Sequence, residues 1–208
     1  MKKVIGVIIG FAFAVSALAQ TAEEILSKME EVFEQHENEG VAMDVDTKVP
    51  LIGTITLKTY TLGNKSRIEF KMLGNKLIIW DDCVTEYAYD SKHNEVSIAE
   101  GSGTNAEDTG DVEMFNGITD GYDVSIKKQT ATAWYIQCKK SKNNPEEYAP
   151  KTMEVVVAKD TYYPISLSAK ISGSTLTMRD LVFGVTDEDV TFDISKYPGA
   201  KVTDKRKK

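Results

Sequence analysis

The stretch Arg67-Ile68-Glu69-Phe70-Lys71-Met72 alternates strictly between charged and apolar residues. A period of two places the apolar side chains on one face of a β-strand and the charged ones on the other. Turn-forming pairs such as Gly63-Asn64 bound this run and others like it. The sequence therefore predicts an antiparallel sheet with one apolar face and one solvated face. The alternation recurs in further runs at 41–46, 54–58, 134–139, 165–171 and 175–179.

Two segments have the pattern of a helix. Thr21 and Glu24 have the spacing of a capping box, and apolar residues recur at helical spacing from Ile25 to Phe33. The helix is predicted to end around 38–40. A second, shorter helix is predicted at 111–118, after a polar, glycine-bearing loop at 101–110. Because a one-sided sheet must cover its apolar face, these elements fit either a strongly curved sheet under a helical lid or a closed barrel with one plug helix.

The first nineteen residues have the parts of a cleavable secretory signal peptide. Lys2 and Lys3 precede an apolar run that ends in the small-residue pattern Ala17-Leu18-Ala19. A retained membrane anchor is the alternative, but the run is short for a bilayer span. No cysteine lies near the cleavage site, so no N-terminal lipid is expected. We expect a signal peptide at 1–19 and a single soluble domain at 20–208.

The chain is acidic, with a formal net charge of −7. This sign argues against binding to nucleic acid or to anionic lipid headgroups through general electrostatics. The basic end at 201–208 is an exception, and we expect it to be a solvated tail.

Residues for catalysis or metal binding are scarce. The two histidines, His36 and His93, fall on a polar helix face and in a turn. The sequence has no phosphate loop, nucleophile elbow or metalloprotease motif. The acidic clusters at 81–82, 107–108 and 187–189 are interpreted as solvated turns. No catalysis, metal or cofactor is therefore expected.

Two cysteines, Cys83 and Cys138, fall in strand-like segments. Export would place them in an oxidising compartment, where they could form a disulfide. The same positions equally suit two small buried apolar residues. The distance between them would decide, and the sequence does not give it.

Four segments, taken in order, carry a resemblance to a known family. They are the signal peptide with its following helix, the strand at 53–58, the segment from 65 to 90, and the ending at 190–207. The third contains a variant of the motif D-G-K-x-x-W-x-Y, with Asp82 in place of Gly and Tyr87 in place of Trp. The ordered set resembles LolA, the periplasmic carrier that escorts lipoproteins to the outer membrane.

The resemblance implies both a fold and a role. The fold would be a mainly β, unclosed antiparallel half-barrel covered by the N-terminal helix and a short mid-chain helix. The role would be that of a monomeric periplasmic carrier that takes lipoprotein acyl chains from an inner-membrane releasing complex to an outer-membrane acceptor. The family's Arg-Pro after the early strand is replaced by Lys58-Thr59-Tyr60, so Lys58 or Arg67 would have to hold the lid.

The predicted ligand site consists of apolar residues on one sheet face together with a lid. The lid residues would be Met114 and Phe115, with help from Met29 and Phe33. Each of these residues would also suit an ordinary core, and strand parity alone does not decide which apolar face is concave. The sheet residues would be Ile55, Leu57, Ile68, Phe70, Ile78, Trp80, Tyr87, Tyr89, Trp134, Ile136 and Leu167.

Two other classes of function stay open at this point. A non-catalytic envelope binding module would use the same sheet to bind a protein or a polymer. An enzyme acting on envelope material would need a nucleophile paired with a base, and the sequence suggests no such pair.

Overall fold

The computed structural model describes residues 20–36, 38–49, 53–103, 118–144, 149–171 and 173–206. The predicted signal peptide at 1–19 lies outside the described residues, and so do Met114 and Phe115. Their proposed roles therefore stay predictions. Within the described part of the chain, no helix is long and apolar enough to cross a membrane.

The first element is the helix α1, Ala22–Gln35. The Thr21 side chain accepts a hydrogen bond from the backbone N–H of Glu24, and the Thr21 N–H donates to the Glu24 carboxylate, both at 3.1 Å. This capping box satisfies backbone groups that the first turn of a helix leaves unpaired. The helix that the sequence predicts here is confirmed, and it ends three residues before Asn38.

Twelve strands follow, and they account for more than half of the described residues. Their bounds are β1 Gly40–Val49, β2 Gly53–Leu62, β3 Lys65–Met72, β4 Asn75–Asp81, β5 Thr85–Asp90, β6 Glu95–Glu100, β7 Tyr122–Gln129, β8 Ala133–Lys140, β9 Thr152–Ala158, β10 Pro164–Ile171, β11 Ser174–Val185 and β12 Lys201–Asp204. A second short helix, α2, spans Asp187–Val190, and one 3-10 turn spans Ile194–Lys196.

All twelve strands belong to one sheet, in the order β12-β6-β5-β4-β3-β2-β1-β11-β10-β9-β8-β7. Neighbouring strands are antiparallel except β12, which pairs with β6 in parallel. β12 and β7 form the two edges, so the sheet is open. The mainly β, unclosed architecture with an N-terminal helix is confirmed, and the closed barrel is ruled out. The short mid-chain helix predicted at 111–118 stays a prediction, because residues 111–117 lie outside the described part of the chain.

The helix α1 covers one half of the sheet, made of β1 and β7 to β11. We call the face that α1 covers the inner face. Ile25, Leu26 and Met29 of α1 are fully buried. They pack against a single apolar cluster drawn from β1 and β8 to β11. This cluster contains Val41, Met43, Trp134, Ile136, Cys138, Val155, Val157, Leu167, Ala169, Met178 and Leu181.

The other half of the sheet, β2 to β6 with β12, is covered on its opposite, outer face. The covering segment is Asp187–Ala200, which contains α2 and the 3-10 turn, and we call it the C-terminal strap. Val190 of the strap is buried, and Phe192 and Tyr197 contact aromatic side chains of β4 and β5. The acidic cluster 187–189, expected to be a solvated turn, instead begins this strap as α2.

Strand irregularities interrupt the alternation in β10 and, beyond the predicted run 175–179, in β11. The pairing of β9 with β10 shifts between Pro164 and Ser166, so Leu167 is buried while Ile165 is exposed. In β11, Asp180 adopts the left-handed conformation with φ 54°, where the pairing with β1 also shifts. The prediction of one unbroken alternation through 165–171 is therefore wrong for Ile165, because a bulge turns the following side chains over.

The two cysteines are not joined by a disulfide. Cys83 lies in the turn after β4 and Cys138 lies in β8, with six strands between those two strands in the sheet. At about 4.8 Å per strand the two residues are far beyond the Cα separation that a disulfide can bridge. Cys138 is fully buried in the core, and this burial raises the pKa of its thiol to about 11.

Candidate functional site

The inner face continues from the core beneath α1 onto β2, β3 and β4. The strand register shows the continuity, because directly paired residues of antiparallel strands share a face. Val45 pairs with Leu57, Leu57 with Phe70, and Phe70 with Leu77. A neighbouring row of paired residues on the same face runs from Met43 through Thr59 to Ile68 and continues on β4.

These residues form an apolar surface that is only half-buried. Its apolar residues on the inner face of β2, β3 and β4 are all partly exposed, whereas Met43 and the other neighbours beneath α1 are almost inaccessible to solvent. Partly exposed apolar area next to a packed core can take up further apolar groups with little rearrangement. We call this surface the inner strip: Ile55, Leu57, Ile68, Phe70, Leu77 and Ile79.

The inner strip has a polar end and an apolar end. Beyond the row of Ile68, the next row contains Thr61, Ser66, Asp81 and Glu86. In the opposite direction, beyond Phe70, the strip passes to Ile55 and to Met72, which adjoins the β3–β4 turn.

Backbone contacts fix the polar end. The hydroxyl of Thr59 donates to the carbonyl of Met43, and that of Thr61 to the carbonyl of Val41, both at 3.3 Å. The Asp81 carboxylate accepts from the N–H of Cys83 at 2.7 Å and from that of Ser102 at 3.0 Å. These side chains thus take part in hydrogen bonds of the fold, and the inner strip is polar at one end and apolar at the other.

Four of the predicted site residues lie on the outer face instead. Arg67 pairs with Trp80 and Trp80 with Tyr87, while Ile78 pairs with Tyr89, so these side chains point away from the inner strip. They are Ile78, Trp80, Tyr87 and Tyr89, and the strap covers them.

Aromatic contacts join the strap to this outer face. Phe192 stacks on Tyr87 with ring centroids 4.4 Å apart, and its edge meets Trp80 at 5.3 Å. The ring centroids of Tyr197 and Tyr89 are 4.2 Å apart, and burial raises the pKa of the Tyr197 hydroxyl. Offset and edge-on ring pairs of this kind stabilise packing beyond the area they bury.

Polar contacts anchor the start of the strap to β3. Arg67 donates from Nη1 to the carbonyl of Asp189 at 2.6 Å, and its guanidinium lies 3.9 Å from the centroid of the Tyr60 ring. Lys65 Nζ is 2.5 Å from Asp187, and this hydrogen bond lowers the pKa of the Asp187 carboxyl. Arg67, considered as a substitute for the family's lid arginine, therefore contacts the outer strap.

The remaining predicted residues that the structure describes lie in the core beneath α1. Met29, Phe33, Trp134, Ile136 and Leu167 are all buried there. The structure thus divides the predicted set into three groups. Ile55, Leu57, Ile68 and Phe70 lie in the inner strip, five residues lie in the α1 core, and four lie under the outer strap.

Two members of the inner strip, Leu77 and Ile79, were missed from the sequence. The run Leu77-Ile78-Ile79-Trp80 is apolar at every position, so alternation cannot assign its faces. The length of the hairpin turn before this run fixes the register and therefore the face of each residue. A two-residue turn at Leu73-Gly74 pairs Met72 with Asn75, and that register places Phe70 opposite Leu77.

The acidic side chains near this surface take part in hydrogen bonds of the fold. Among the described residues, no group of three or more histidine, cysteine or acidic side chains could hold a metal ion. Asp82, at a predicted acidic cluster, accepts hydrogen bonds from the backbone N–H groups of Val84 and Thr85. A small pocket of about 130 Å³ between β4, β5 and the strap is lined by Trp80, Tyr87 and Phe192.

Comparison of sequences gives one distant relative. No protein-family model matches the chain. An uncharacterized protein of Methanocaldococcus jannaschii is 25% identical over 200 residues, which cover 94% of this chain and 57% of that protein. The chain therefore spans little more than half the length of the curated relative that it matches.

Comparison of structures gives the fold. Lipoprotein LppX of Mycobacterium tuberculosis matches with a TM-score of 0.50 and 9% identity, over 79% of this chain and 97% of that chain. A LolA superfamily protein of Nitrosomonas europaea matches with a TM-score of 0.33 and 12% identity, over 84% and 99% of the two chains. The likeness to LppX shows a shared fold, and the open, mainly β sheet that the sequence resemblance implied is present in the structure.

Proposed function

We propose that this protein binds the acyl chains of a lipid or lipoprotein along the inner strip. The observation that carries the proposal is the half-buried apolar surface at Leu57, Ile68 and Phe70, continuous with the core beneath α1. Each acyl methylene that leaves water contributes about 0.8 kcal/mol, so two or three chains would bind tightly to such a surface.

The helix α1 would serve as a fixed wall of the site rather than as a moving lid. Met29 and Phe33 are fully packed against the strands, and the ring of Phe33 meets that of Phe183 edge-on at 5.6 Å. A movable cover would then come from the segment that contains Met114 and Phe115. Competition between this cover and the acyl chain for one surface would provide a route to release.

The cellular role follows as part of the same proposal. After removal of the signal peptide at 1–19, the domain 20–208 would act in the periplasm as a monomer. It would receive lipoproteins from an inner-membrane releasing complex and ferry them to an outer-membrane acceptor, without catalysis. The LolA-like fold and the apolar strip support this role over the alternative of a protein- or polymer-binding module.

The test is binding of a fluorescent fatty acid to the purified protein and to two matched variants. Phe70→Gln places an amide in the middle of the inner strip and should weaken binding roughly tenfold or more, because a buried aromatic contact is lost. Tyr87→Gln makes a similar change on the outer face of the same half of the sheet and should leave the affinity unchanged.

Circular dichroism and thermal unfolding would verify that both variants are folded. Equal affinity of wild type and folded Phe70→Gln would contradict the inner strip as the site. Loss of affinity in Tyr87→Gln alone would transfer the site to the outer face.

A further inference from the structure

The β3–β4 turn exposes apolar side chains in an unusual way. Leu73 at the tip is 101% exposed and the adjacent Met72 is 49% exposed. Both turn residues have positive φ, 52° at Leu73 and 82° at Gly74, which is the pattern of a type I′ turn. Asn or Asp normally occupies the first of these positions, because they tolerate the left-handed conformation far better than leucine does. The chain thus places an apolar residue where both solvent and backbone disfavour it.

The turn lies at the apolar end of the inner strip. Met72 extends the face that carries Phe70 and Ile68, and Leu73 follows directly at the tip. The opposite end of the strip finishes in Thr61, Ser66 and Glu86. On β2 and β3, an acyl chain leaving the strip toward the β3–β4 turn would therefore move over Ile55 and Met72, whereas the other direction is polar. Asn75 and Asp90 border this path on β4 and β5.

Basic residues surround this turn. Lys71 and Lys92 are exposed, and within the described part of the chain neither forms an ion pair. Lys92 belongs to the β5–β6 turn. Its backbone N–H donates a hydrogen bond at 3.0 Å to Oδ1 of Asn75, the residue that follows the β3–β4 turn. Lys201 begins β12 beside them, with its N–H on the carbonyl of Asn94 at 2.9 Å.

Local charge decides the electrostatics at such a surface. Screening at physiological salt limits interactions to about 8 Å, so the net negative charge of the whole chain is only weakly felt at this end. Each lysine held near an anionic membrane surface contributes about a fivefold increase in binding. Lys201 is paired with Glu95 at 3.5 Å, so among the described residues the unpaired positive charge at this turn comes from Lys71 and Lys92. An exposed leucine beside two exposed lysines fits the boundary between anionic headgroups and acyl chains.

We propose that the Met72-Leu73 turn is the point at which the protein docks on an anionic lipid bilayer, with the inner strip opening toward the membrane there. The proposal rests on the proposed function of the strip and adds to it the direction of lipid exchange. Leu73 enters the acyl region, and Lys71 and Lys92 remain at the headgroups.

The test is co-sedimentation of the purified protein with vesicles of phosphatidylcholine and phosphatidylglycerol. Leu73→Asn should reduce vesicle binding roughly tenfold, because burial of one leucine side chain is lost. The same variant should be at least as resistant to thermal unfolding as wild type, because asparagine suits the positive φ of the turn. Loss of binding without loss of stability separates membrane contact from folding.

A matched control lies in the turn at the opposite end of β4. Val84 in the β4–β5 turn is also apolar and 76% exposed, yet it adjoins the polar end of the strip. Leu73→Glu should abolish vesicle binding, whereas Val84→Glu should leave it unchanged. Lys71→Gln with Lys92→Gln should weaken binding to anionic vesicles only.

Fatty-acid binding in solution separates this proposal from the proposed function, because Leu73→Asn should retain wild-type affinity for the probe. Equal vesicle binding by wild type and Leu73→Asn would overturn the docking site, whether or not the fatty-acid probe binds. Failure of wild type to bind these vesicles would also overturn it and would direct attention to a protein acceptor.

Discussion

A charged network on the outer face illustrates how single residues hold the sheet. Asp46 of β1 receives Arg179 Nε at 2.8 Å and the Thr56 hydroxyl at 2.5 Å. Arg179 immediately precedes the bulge at Asp180, which it also contacts. The network therefore joins three strands where the β1–β11 pairing is irregular. The hydrogen bond from Arg179 is the main reason that the pKa of the Asp46 carboxyl lies below its ordinary value of 3.8.

Asp46→Asn should lower the stability of the protein by about 1 kcal/mol near neutral pH, because Arg179 loses one of its charged partners. The lowered pKa means that the folded state prefers the ionised carboxylate. This contribution is therefore complete well above pH 3.8 and is lost as the pH falls through and below that value. Urea unfolding at pH 7 and at pH 3 measures it.

The difference between wild type and Asp46→Asn should shrink at the lower pH. A difference that stays the same at both pH values would show that the carboxylate charge is not the cause. Glu188→Gln, which removes an exposed partner of Lys196, serves as the control and should have no measurable effect.

The attachment of the C-terminal strap to the sheet is hard to predict from the sequence. α2 is only four residues long, which is too short to show a helical period. Its position depends on Arg67, which donates to the Asp189 carbonyl from within β3. The pairing of β12 with β6 then fixes the other end of the strap.

Arg67→Met should loosen the strap while it preserves the apolar stem over Tyr60. Loss of a charged hydrogen bond to a backbone carbonyl is expected to cost about 1.5–3 kcal/mol. Limited trypsin digestion should cut faster at Lys196 and Lys201, and thermal unfolding should begin earlier. The control Lys65→Met removes the exposed contact with Asp187 and should have a smaller effect.

An unchanged digestion pattern in Arg67→Met would mean that the aromatic contacts alone hold the strap. Fatty-acid binding should be unaffected in this variant, because the strap lies on the face opposite the inner strip.

At the scale of the whole molecule, the two halves of the sheet are covered on opposite faces. α1 buries the inner face of one half, and the strap buries the outer face of the other. The inner face of the strap-covered half is therefore the apolar surface that is only half-buried. Stability and binding should thus reside in different parts of one sheet.

A bound ligand should stabilise the folded protein without involving α1. Fatty acid at a hundred times its dissociation constant should raise the free energy of unfolding by about 2.7 kcal/mol. Thr21→Ala removes the N-cap and should lower stability by about 1 kcal/mol, yet the increment from the ligand should be the same. Thermal unfolding with and without fatty acid measures both quantities.

The ligand increment should disappear in Phe70→Gln at the same fatty-acid concentration. A reduced increment in Thr21→Ala would instead show that α1 moves when the ligand binds.

The sequence by itself determined the elements that depend on neighbours along the chain. The capping box at Thr21, the period of 3.6 in α1 and the period of 2 in β3 are local patterns, and each predicted its element. The resemblance to the LolA family gave the open sheet and its covering helix in advance.

Only the tertiary structure decided which apolar residues act together. A strand such as Leu77-Ile78-Ile79-Trp80 is apolar on both faces, so period alone cannot assign Trp80 to the strap and Leu77 to the inner strip. The same is true of Cys83 and Cys138, whose separation depends on six intervening strands. Faces and distances arise from strand register and from the return of the chain end, and those are contacts between residues far apart in sequence.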